Sequence, residues 1–312
     1  VYKRQVDSLD RVWVSTNEGI AMFEASQEMK WFTGANGLPN RQCRGIAELN
    51  GKIFIGTWGG GFAIATSDAI YDENVNFTSV SVDEGLVSER IFDIAADDSS
   101  IWIATVVGVD QYVDNEALEV EDRIIGHTGE FGAGVFSSII VHKSTSRGTE
   151  VWVSEKVHDD GGTLIPGGMR VKRFPGFQWF NTETSGIPSD DANGVAYDPV
   201  RDLIWSAHST QGAASLDVDP RIWTHFTSDD GLRSNLGTSI AVNYTGAKWE
   251  AGTVWLSTQA GLTRVSPAGK VTNYIEGSGL PFERVRKVYV DDNDDVWVAF
   301  VERGAGRVLG AQ

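Results

Sequence analysis

The sequence predicts an all-β fold, a seven-bladed β-propeller of four-stranded antiparallel blades. An aromatic strand motif recurs seven times at a spacing of about 45 residues, as in propeller repeats. Apolar residues alternate with the period of two that strands show, not with the 3.6-residue period of helices. The 312 residues include 35 glycines and 11 tryptophans but only three methionines, a composition typical of many short strands joined by tight turns.

The most regular element is a strand with an aromatic residue near its centre, such as RVWVST at 11–16 and TVWLST at 253–258. The seven aromatic residues are Trp13, Phe54, Trp102, Trp152, Trp205, Trp255 and Trp297. A four-stranded sheet buries both faces only when neighbouring blades stack on it. These side chains are therefore predicted to fill the core between blades and not to bind ligands.

Two further motifs complete the repeat. A glycine-led apolar strand follows the aromatic strand, as in GIAMF at 19–23. A Gly-Leu or Gly-Ile turn then leads into the next unit, as in WTHFTSDDGLRSN at 223–235. Each unit is therefore predicted to contain a first strand, the aromatic strand, the glycine-led strand and a fourth strand that enters the turn.

All residues are assigned to a single propeller domain. The predicted blades are residues 1–33, 34–81, 82–125, 126–181, 182–228, 229–276 and 277–312. The seventh unit stops after its third strand, so the last blade is predicted to be incomplete within this chain. Residues upstream of Val1, in a longer or processed polypeptide, would supply the missing strand and cover an otherwise unpaired edge.

The pattern of aromatic strand, Gly-Leu turn and Val-Trp strand resembles the two-component regulator propeller repeat. The match is best at 223–265 and 271–300 and weakest at about 121–175, where HTGEFGAGVF replaces the turn. The resemblance covers nearly the whole chain. It implies a sensor-type seven-bladed propeller, periplasmic or extracellular, that binds a ligand (often a glycan fragment) or docks a protein.

A weaker resemblance is to streptogramin lyase and gluconolactonase-like propellers, which carry a metal on the central axis. The acidic residues of this chain do not form the repeat-aligned set that such a site needs. His208 stands where four sister strands have Thr16, Thr57, Thr105 and Thr258. A lone histidine at this position is compatible with a structural role and with a role in a site.

Polar residues that differ between otherwise equal repeats are candidates for a binding site. The Gly-Leu turns and the loops between second and third strands are predicted to lie on one face, where propellers usually bind ligands. The candidates on this rim are Arg41, Trp58, Arg90, His158, Asp159, Asp190, His208, Asn235, Gln259 and Arg284. No catalytic residue is predicted, since the common hydrolase, zinc and nucleotide motifs do not occur in the sequence.

Two departures from the repeat sharpen this prediction. The loop EKVHDDGGTLIPGG at 155–168 is far longer than its counterparts TNEG and TQAG, and long insertions on a scaffold are often binding loops or lids. TWGGGF at 57–62 places Trp58 beside three glycines. An exposed Trp58 would stack on a sugar ring or a partner's side chain, whereas a packed Trp58 would only close the loop.

Acidic runs raise the question of calcium. DDNDD at 291–295 and DDSS at 97–100 lack the alternating spacing of a calcium loop and fall in hairpins between first and second strands, where Asp favours tight turns. Asp229-Asp230-Gly231 is likewise predicted to be a turn. No cofactor is predicted. Were calcium bound, Asp159 and Asp160 would be its ligands.

The formal net charge is −17, which argues against nucleic acid or an anionic membrane surface as a partner, because both require clustered Lys and Arg. No apolar run approaches the roughly 18 residues of a membrane span, so direct membrane insertion is not predicted. The predicted partner is a small molecule, a glycan or a protein.

Three functions are compatible with these observations. The first is a non-catalytic ligand- or protein-binding propeller, an extracellular or periplasmic sensor or recognition module. The second is a propeller hydrolase or lyase acting on a polysaccharide or lactone, in which His208 or His158 would meet nearby carboxylates. The third is a structural subunit of a surface assembly, suggested by the incomplete blade.

Overall fold

The computed structural model describes residues 4–24, 28–66, 70, 75–144, 146–173, 176–301 and 304–308. Its strands pair in chain order into seven blade sheets, and the predicted fold class, a seven-bladed β-propeller of antiparallel blades, is confirmed. The chain divides into two compact units, Tyr2–Val141 and His142–Gln312, so its assignment to one domain stays a prediction. Among the described residues, none of the helices has the length and apolarity needed to cross a membrane.

The first unit contains three four-stranded sheets and a one-turn helix, α1 (Thr128–Phe131). The strands are β1 (Arg4–Val6), β2 (Val12–Ser15), β3 (Ile20–Phe23), β4 (Met29–Phe32), β5 (Cys43–Leu49), β6 (Lys52–Thr57), β7 (Phe62–Thr66), β8 (Thr78–Val80), β9 (Ile91–Ala96), β10 (Ser100–Thr105), β11 (Val109–Val113) and β12 (Ile124–Gly126).

The second unit contains four sheets and an inserted hairpin, β15–β16; the division between the units falls inside β13. The strands are β13 (Val135–Ser144), β14 (Gly148–Lys156), β15 (His158–Asp160), β16 (Thr163–Ile165), β17 (Gly168–Arg173), β18 (Gly176–Phe180), β19 (Ala192–Asp198), β20 (Leu203–His208), β21 (Ala213–Asp217), β22 (Ile222–Phe226), β23 (Gly237–Val242), β24 (Val254–Thr258), β25 (Gly261–Val265), β26 (Val271–Glu276), β27 (Gly279–Leu280), β28 (Val285–Val290), β29 (Val296–Phe300) and β30 (Ala305–Val308). Within the described residues the seventh sheet has three strands, β28–β29–β30, as the incomplete last blade predicts.

The repeated aromatic residues pack between sheets, as predicted, with one exception. Six of the seven are at most 5% exposed. Trp255, for example, packs against Val288 and Val298 of the following sheet. Trp297 is only half-buried, because it lies on the last sheet of its unit and no later sheet of that unit covers it.

The acidic hairpins are turns that also hold the core aromatic residues. One carboxylate oxygen of Asp7, Asp97 or Asp291 accepts backbone N–H groups of its own turn. The other oxygen accepts the indole N–H of the buried strand's tryptophan, at 2.7 Å, 2.7 Å and 2.9 Å respectively. The turn role predicted for Asp97 and Asp291 is confirmed.

We expect replacement of Trp13 by phenylalanine to cost about 1–2 kcal/mol more stability than the same change at Trp205. Trp13 donates its indole N–H to the buried Asp7, so phenylalanine removes a charge-assisted hydrogen bond. The indole N–H of Trp205 has no partner among the described residues, so only packing is lost there. Urea unfolding of the two variants measures the difference, and equal losses would contradict this role of Asp7.

The Gly-Leu turns are short 3-10 turns with reciprocal caps. The Thr227 hydroxyl accepts a hydrogen bond from the backbone N–H of Asp229, and the Asp230 carboxylate accepts one from the backbone N–H of Thr227. Gly231 then takes a left-handed conformation, and Leu232 is buried. The same arrangement starts at Thr33 and at Ser81. Asp229-Asp230-Gly231 is therefore a turn, as predicted.

Candidate functional site

The Gly-Leu crossovers and the loops between second and third strands lie at the same end of the blades in each unit, called here the crossover end. A repeated backbone hydrogen bond shows this. The residue after the aromatic strand donates its N–H to a carbonyl of the preceding crossover. The pairs are Trp58–Gln42, Val106–Arg90, Ser209–Asp191, Gln259–Leu236 and Val301–Arg284.

The innermost strand of five blades carries a β-bulge close to the crossover end. The strand register shifts by one residue at that point in β5, β9, β19, β23 and β28. A bulge re-aims the side chain of its extra residue. These positions hold four residue types in the five blades: Arg44, Phe92, Asn193, Thr238 and Arg286.

A second repeated position closes the neighbouring hairpin. The hydroxyl groups of four threonines donate to the carbonyl of the glycine at the start of the third strand, at 2.7–3.0 Å: Thr16, Thr57, Thr105 and Thr258. In the fourth and fifth blades this position holds ionisable residues, Glu155 and His208. These two blades therefore depart from a purely structural device.

The Trp58 cluster, defined as Arg44, Trp58, Arg90 and Phe92, lies at the crossover end of the first unit. The guanidinium carbon of Arg44 is 4.1 Å from the Trp58 ring centroid, and the Phe92 centroid is 4.8 Å away. Trp58 also pairs with Arg90 in an isolated antiparallel bridge, which makes their side chains neighbours on one side of the ladder. The two bulge residues thus converge on one indole, which is half-buried and less open than an exposed stacking tryptophan.

Glu89 holds the glycine loop beside this cluster, whereas Arg41 lies on the surface. The Glu89 carbonyl accepts the N–H groups of Gly59 and Gly61, and its carboxylate accepts the N–H of Gly60. Arg41 is 3.2 Å from Glu18, and both side chains are about two-thirds exposed. An ion pair this exposed contributes little to stability, so Arg41 is placed on the surface and not locked into the fold.

The Glu155 cluster, defined as Glu155, Arg170, Trp179 and Asp190, lies in the second unit. Arg170 forms two hydrogen bonds to the fully buried Glu155, at 2.7 Å and 2.8 Å. Its guanidinium also lies 4.8 Å from the Trp179 ring centroid. Burial raises the pKa of Glu155 to about 7, with Asp190 adding to the rise and Arg170 opposing it. Asp190 itself accepts hydrogen bonds from the backbone and hydroxyl of Thr182.

Lys156 links this cluster to the next blade. Its ammonium donates to the side-chain oxygen of Asn193, whose amide donates in turn to Ser209 and to the Gly237 carbonyl. Burial lowers the pKa of Lys156, and the nearby Asp191 opposes that shift. The bulge residue Asn193 therefore acts here as a connector between adjacent strands.

The long insertion forms a small exposed hairpin, with His158 paired to Ile165 across β15 and β16. The Asp159 carboxylate accepts the N–H of Gly162 in the hairpin turn, and Asp160 is exposed. Nδ1 of His158 is 3.3 Å from the Lys156 carbonyl. No three metal-ligating side chains gather anywhere in the described part of the chain, so calcium at Asp159 and Asp160 stays an untested expectation.

His208 lies in the interior of the fifth blade. It is fully buried, and its Nε2 is 2.9 Å from the Ser206 hydroxyl. Burial lowers the pKa of the ring to about 3, and His225 adds a smaller effect in the same direction. The ring is therefore neutral at physiological pH and shielded from solvent.

Stability should fall as the pH drops from about 6.5 towards 3, because the unfolded histidine takes up a proton near pH 6.5 and the folded one near pH 3. The contribution of His208 is complete above that window and is lost by up to about 1.4 kcal/mol per pH unit inside it. His208→Thr, which restores the residue of the sister strands, should flatten this dependence. Urea unfolding at pH 7 and pH 5 tests it; parallel losses in both proteins would contradict the shifted pKa.

The remaining predicted residues, Asn235, Gln259 and Arg284, belong to the second unit. Asn235 exchanges two hydrogen bonds with Ser228 inside its own turn and is half-buried. Gln259 and Arg284 are exposed at the crossover end. Of the predicted residues, Trp58 and Arg90 therefore lie side by side, and Asp190 lies in the Glu155 cluster.

Sequence reasoning missed Arg44, Phe92, Arg170 and Trp179. The sequence held a signal for Arg44 and Phe92, since each is the second residue of the first strand after a crossover. The bulge that aims them appears only once the strands are paired. Arg170 and Trp179 lie on strands β17 and β18, whose side chains the repeat marks as ordinary strand positions.

No protein-family model matches the sequence, and no curated protein sequence matches it. Several solved structures share the fold. PorZ, a surface component of the type-IX secretion system of Porphyromonas gingivalis, has a TM-score of 0.70 at 14% identity, covering 98% of this chain and 46% of that one. Virginiamycin B lyase from Staphylococcus aureus has a TM-score of 0.69 at 11% identity, covering 98% and 93%.

A third similar structure is the extracellular domain of a protein designated a hybrid two-component system, from B. thetaiotaomicron. Its TM-score is 0.57 at 16% identity, covering 96% of this chain and 44% of that one. The present chain thus spans less than half the length of this structure and of PorZ. Identities this low show a shared propeller fold and nothing finer.

Proposed function

We propose that this protein is a non-catalytic recognition module, an extracytoplasmic propeller that binds a ligand or a protein through its crossover end. One observation carries the proposal. The scaffold repeats the same bulge in five blades but presents four residue types there: arginine twice, phenylalanine, asparagine and threonine. A regular frame that presents varied side chains suits specific binding, whereas stability alone would favour repeating the same residue.

The similar solved structures support an extracytoplasmic location. One is named as an extracellular domain and another as a bacterial surface component. The sequence pattern is similar to propeller repeats of sensor proteins, and glycan fragments are the ligand class which that resemblance implies. Glycans are therefore the first ligands to test.

The geometry of the histidines favours binding over a hydrolase or lyase. Such an enzyme would need His208 or His158 to converge with carboxylates in an accessible site. His208 is buried against Ser206. The ring of His158 contacts the backbone carbonyl of Lys156, so the two rings serve separate local structures.

A glycan array and a pull-down from extracellular fractions test the proposal, with Trp58→Ala as the site variant. Trp31→Ala is the matched control, because Trp31 is 42% exposed on strand β4 of the same unit. We expect binding at least tenfold weaker in Trp58→Ala and unchanged in Trp31→Ala, with melting temperatures confirming that both are folded. Failure of the wild-type protein to bind anything, or equal effects of both changes, would contradict a site at the Trp58 cluster.

A further inference from the structure

We infer that the Trp58 cluster binds the anionic group of a charged saccharide, a sugar carboxylate or sulfate. This inference rests on the proposed recognition function and adds the chemistry of the ligand to it. It is carried by two arginines in a chain of net charge −17: Arg44 stacks on a half-buried indole, and Arg90 pairs with the same tryptophan in a backbone bridge.

Arg44 is oriented by its surroundings. The bulge in β5 directs it towards the crossover end, and its guanidinium stacks on Trp58 at 4.1 Å. Phe92, from the bulge of the next blade, packs against the same indole. A planar guanidinium held on an aromatic face has lost much of its freedom before a ligand arrives, so less entropy is lost when it binds a planar or tetrahedral oxyanion.

Arg90 adds a second positive charge beside the first. It is exposed, and its guanidinium makes no hydrogen bond or ion pair with any residue that the structure describes. In the same unit, Arg41 is paired with Glu18, and Arg123 is hydrogen-bonded to Tyr112. Its position opposite Trp58 in the bridge brings it to the same side as the stacked Arg44.

The surrounding charge makes this pair selective. Most of the protein surface repels anions, because acidic residues outnumber basic ones by 43 to 26. Glu89, which precedes Arg90 in the sequence, accepts a hydrogen bond from the Gly60 N–H. A local positive site on a negative protein attracts an anion mainly at short range, and its affinity therefore depends on salt.

The size of the patch favours a saccharide over a folded protein. A stable protein interface buries about 800 Å² on each side around an apolar centre. The large apolar side chains exposed on the adjoining loops of the first unit are two valines, Val82 and Val107. Two arginines beside a pair of half-buried aromatic rings suit a small ligand with a charged group.

Isothermal titration of the whole chain with matched pairs of oligosaccharides tests the inference. The pairs are an oligogalacturonate with the neutral galactose oligomer of equal length, and a chondroitin sulfate oligosaccharide with its desulfated, carboxyl-reduced form. Inorganic sulfate and polyglutamate are tested alone. We expect the charged saccharides to bind at least tenfold more tightly than the neutral ones, with an affinity that falls as salt rises.

Three variants locate the effect. Arg90→Ala should weaken binding of charged saccharides at least tenfold. Arg44→Lys, which keeps the charge but loses the planar fork, should do the same. Arg233→Ala is the control, because Arg233 is an exposed arginine in a crossover of the other unit, and it should bind as the wild type does.

The outcomes separate the two levels of the proposal. Equal binding of neutral and charged saccharides, or an unchanged Arg90→Ala, overturns the anion specificity and leaves the recognition function standing. Preferential binding of polyglutamate overturns the saccharide class. Binding of a protein partner without binding of any saccharide likewise overturns the saccharide class. If no saccharide and no protein binds, the proposed function itself fails, and the inference fails with it.

Discussion

Replacing Arg170 by alanine should lower the free energy of unfolding by about 3–5 kcal/mol at pH 8. Arg170 supplies both hydrogen bonds to Glu155, whose side chain has no exposed surface. Without Arg170, the carboxylate is either buried with an uncompensated charge or takes up a proton at a cost that grows with pH. Urea unfolding of the purified variant measures the loss.

The pH dependence provides an internal check. Burial already raises the pKa of Glu155 to about 7, and removal of its cation raises it further. A raised carboxyl pKa gives stability that is present below the unfolded pKa of about 4.5 and is lost as the pH rises through the folded value. The deficit of Arg170→Ala should therefore be smaller at pH 5.5 than at pH 8.

A double variant, Glu155→Thr with Arg170→Leu, is the matched control. It restores the threonine found in four sister blades, whose hydroxyl would donate to the carbonyl of Gly168 as Thr258 donates to Gly261. We expect it to recover most of the loss, because a buried ion pair is often replaceable by packed neutral groups. A double variant as unstable as Arg170→Ala would show that the ion pair is indispensable to the fourth blade.

Gly212→Ala should destabilise the protein by more than about 3 kcal/mol or prevent folding. A Cβ atom at Gly212 would lie 2.3 Å from the carbonyl oxygen of Phe226, and the backbone has a φ of +68°. Four more glycines that lead third strands meet a fourth-strand carbonyl in the same way: Gly19, Gly61, Gly168 and Gly261. Glycine is therefore needed at this position because a carbonyl oxygen of the neighbouring fourth strand occupies the space that a Cβ atom would take.

Gly269→Ala separates the two causes of this cost. Gly269 has a φ of +82°, but nothing lies within 4 Å of a Cβ built there. It should cost only the left-handed backbone penalty of about 1–2 kcal/mol. Thermal and urea unfolding of the two alanine variants provide the comparison, and similar losses at both positions would rule out the carbonyl contact as the reason for the glycine.

Much of the fold could be predicted from the sequence because it is local and repeated. Asp291 and Trp297 are six positions apart, and their turn and hydrogen bond need only one hairpin. Thr227, Asp230 and Gly231 close a turn within five residues. Such elements recur with their own sequence signals, so the strands, the turns and the burial of six of the seven repeated aromatic residues could be predicted without a structure.

The candidate site could be predicted only in part, since its members come from separate strands. Trp58 and Arg90 were visible as departures from the repeat. Arg44 and Phe92 were not, because the bulges that turn them towards Trp58 are properties of strand pairing. Likewise His208 and Glu155 occupy equivalent positions in the repeat, yet one is held by Ser206 and the other by Arg170.

By itself, the sequence determined the repeat, its strands, its turns and the residues that fill the core. These follow from hydrophobic alternation and turn chemistry, which act over a few residues. The tertiary structure decided which unrepeated side chains meet, how deeply His208 is buried and that Arg44 and Phe92 pack on one indole. Those features depend on register, bulges and burial, which arise only when strands distant in the chain are brought together.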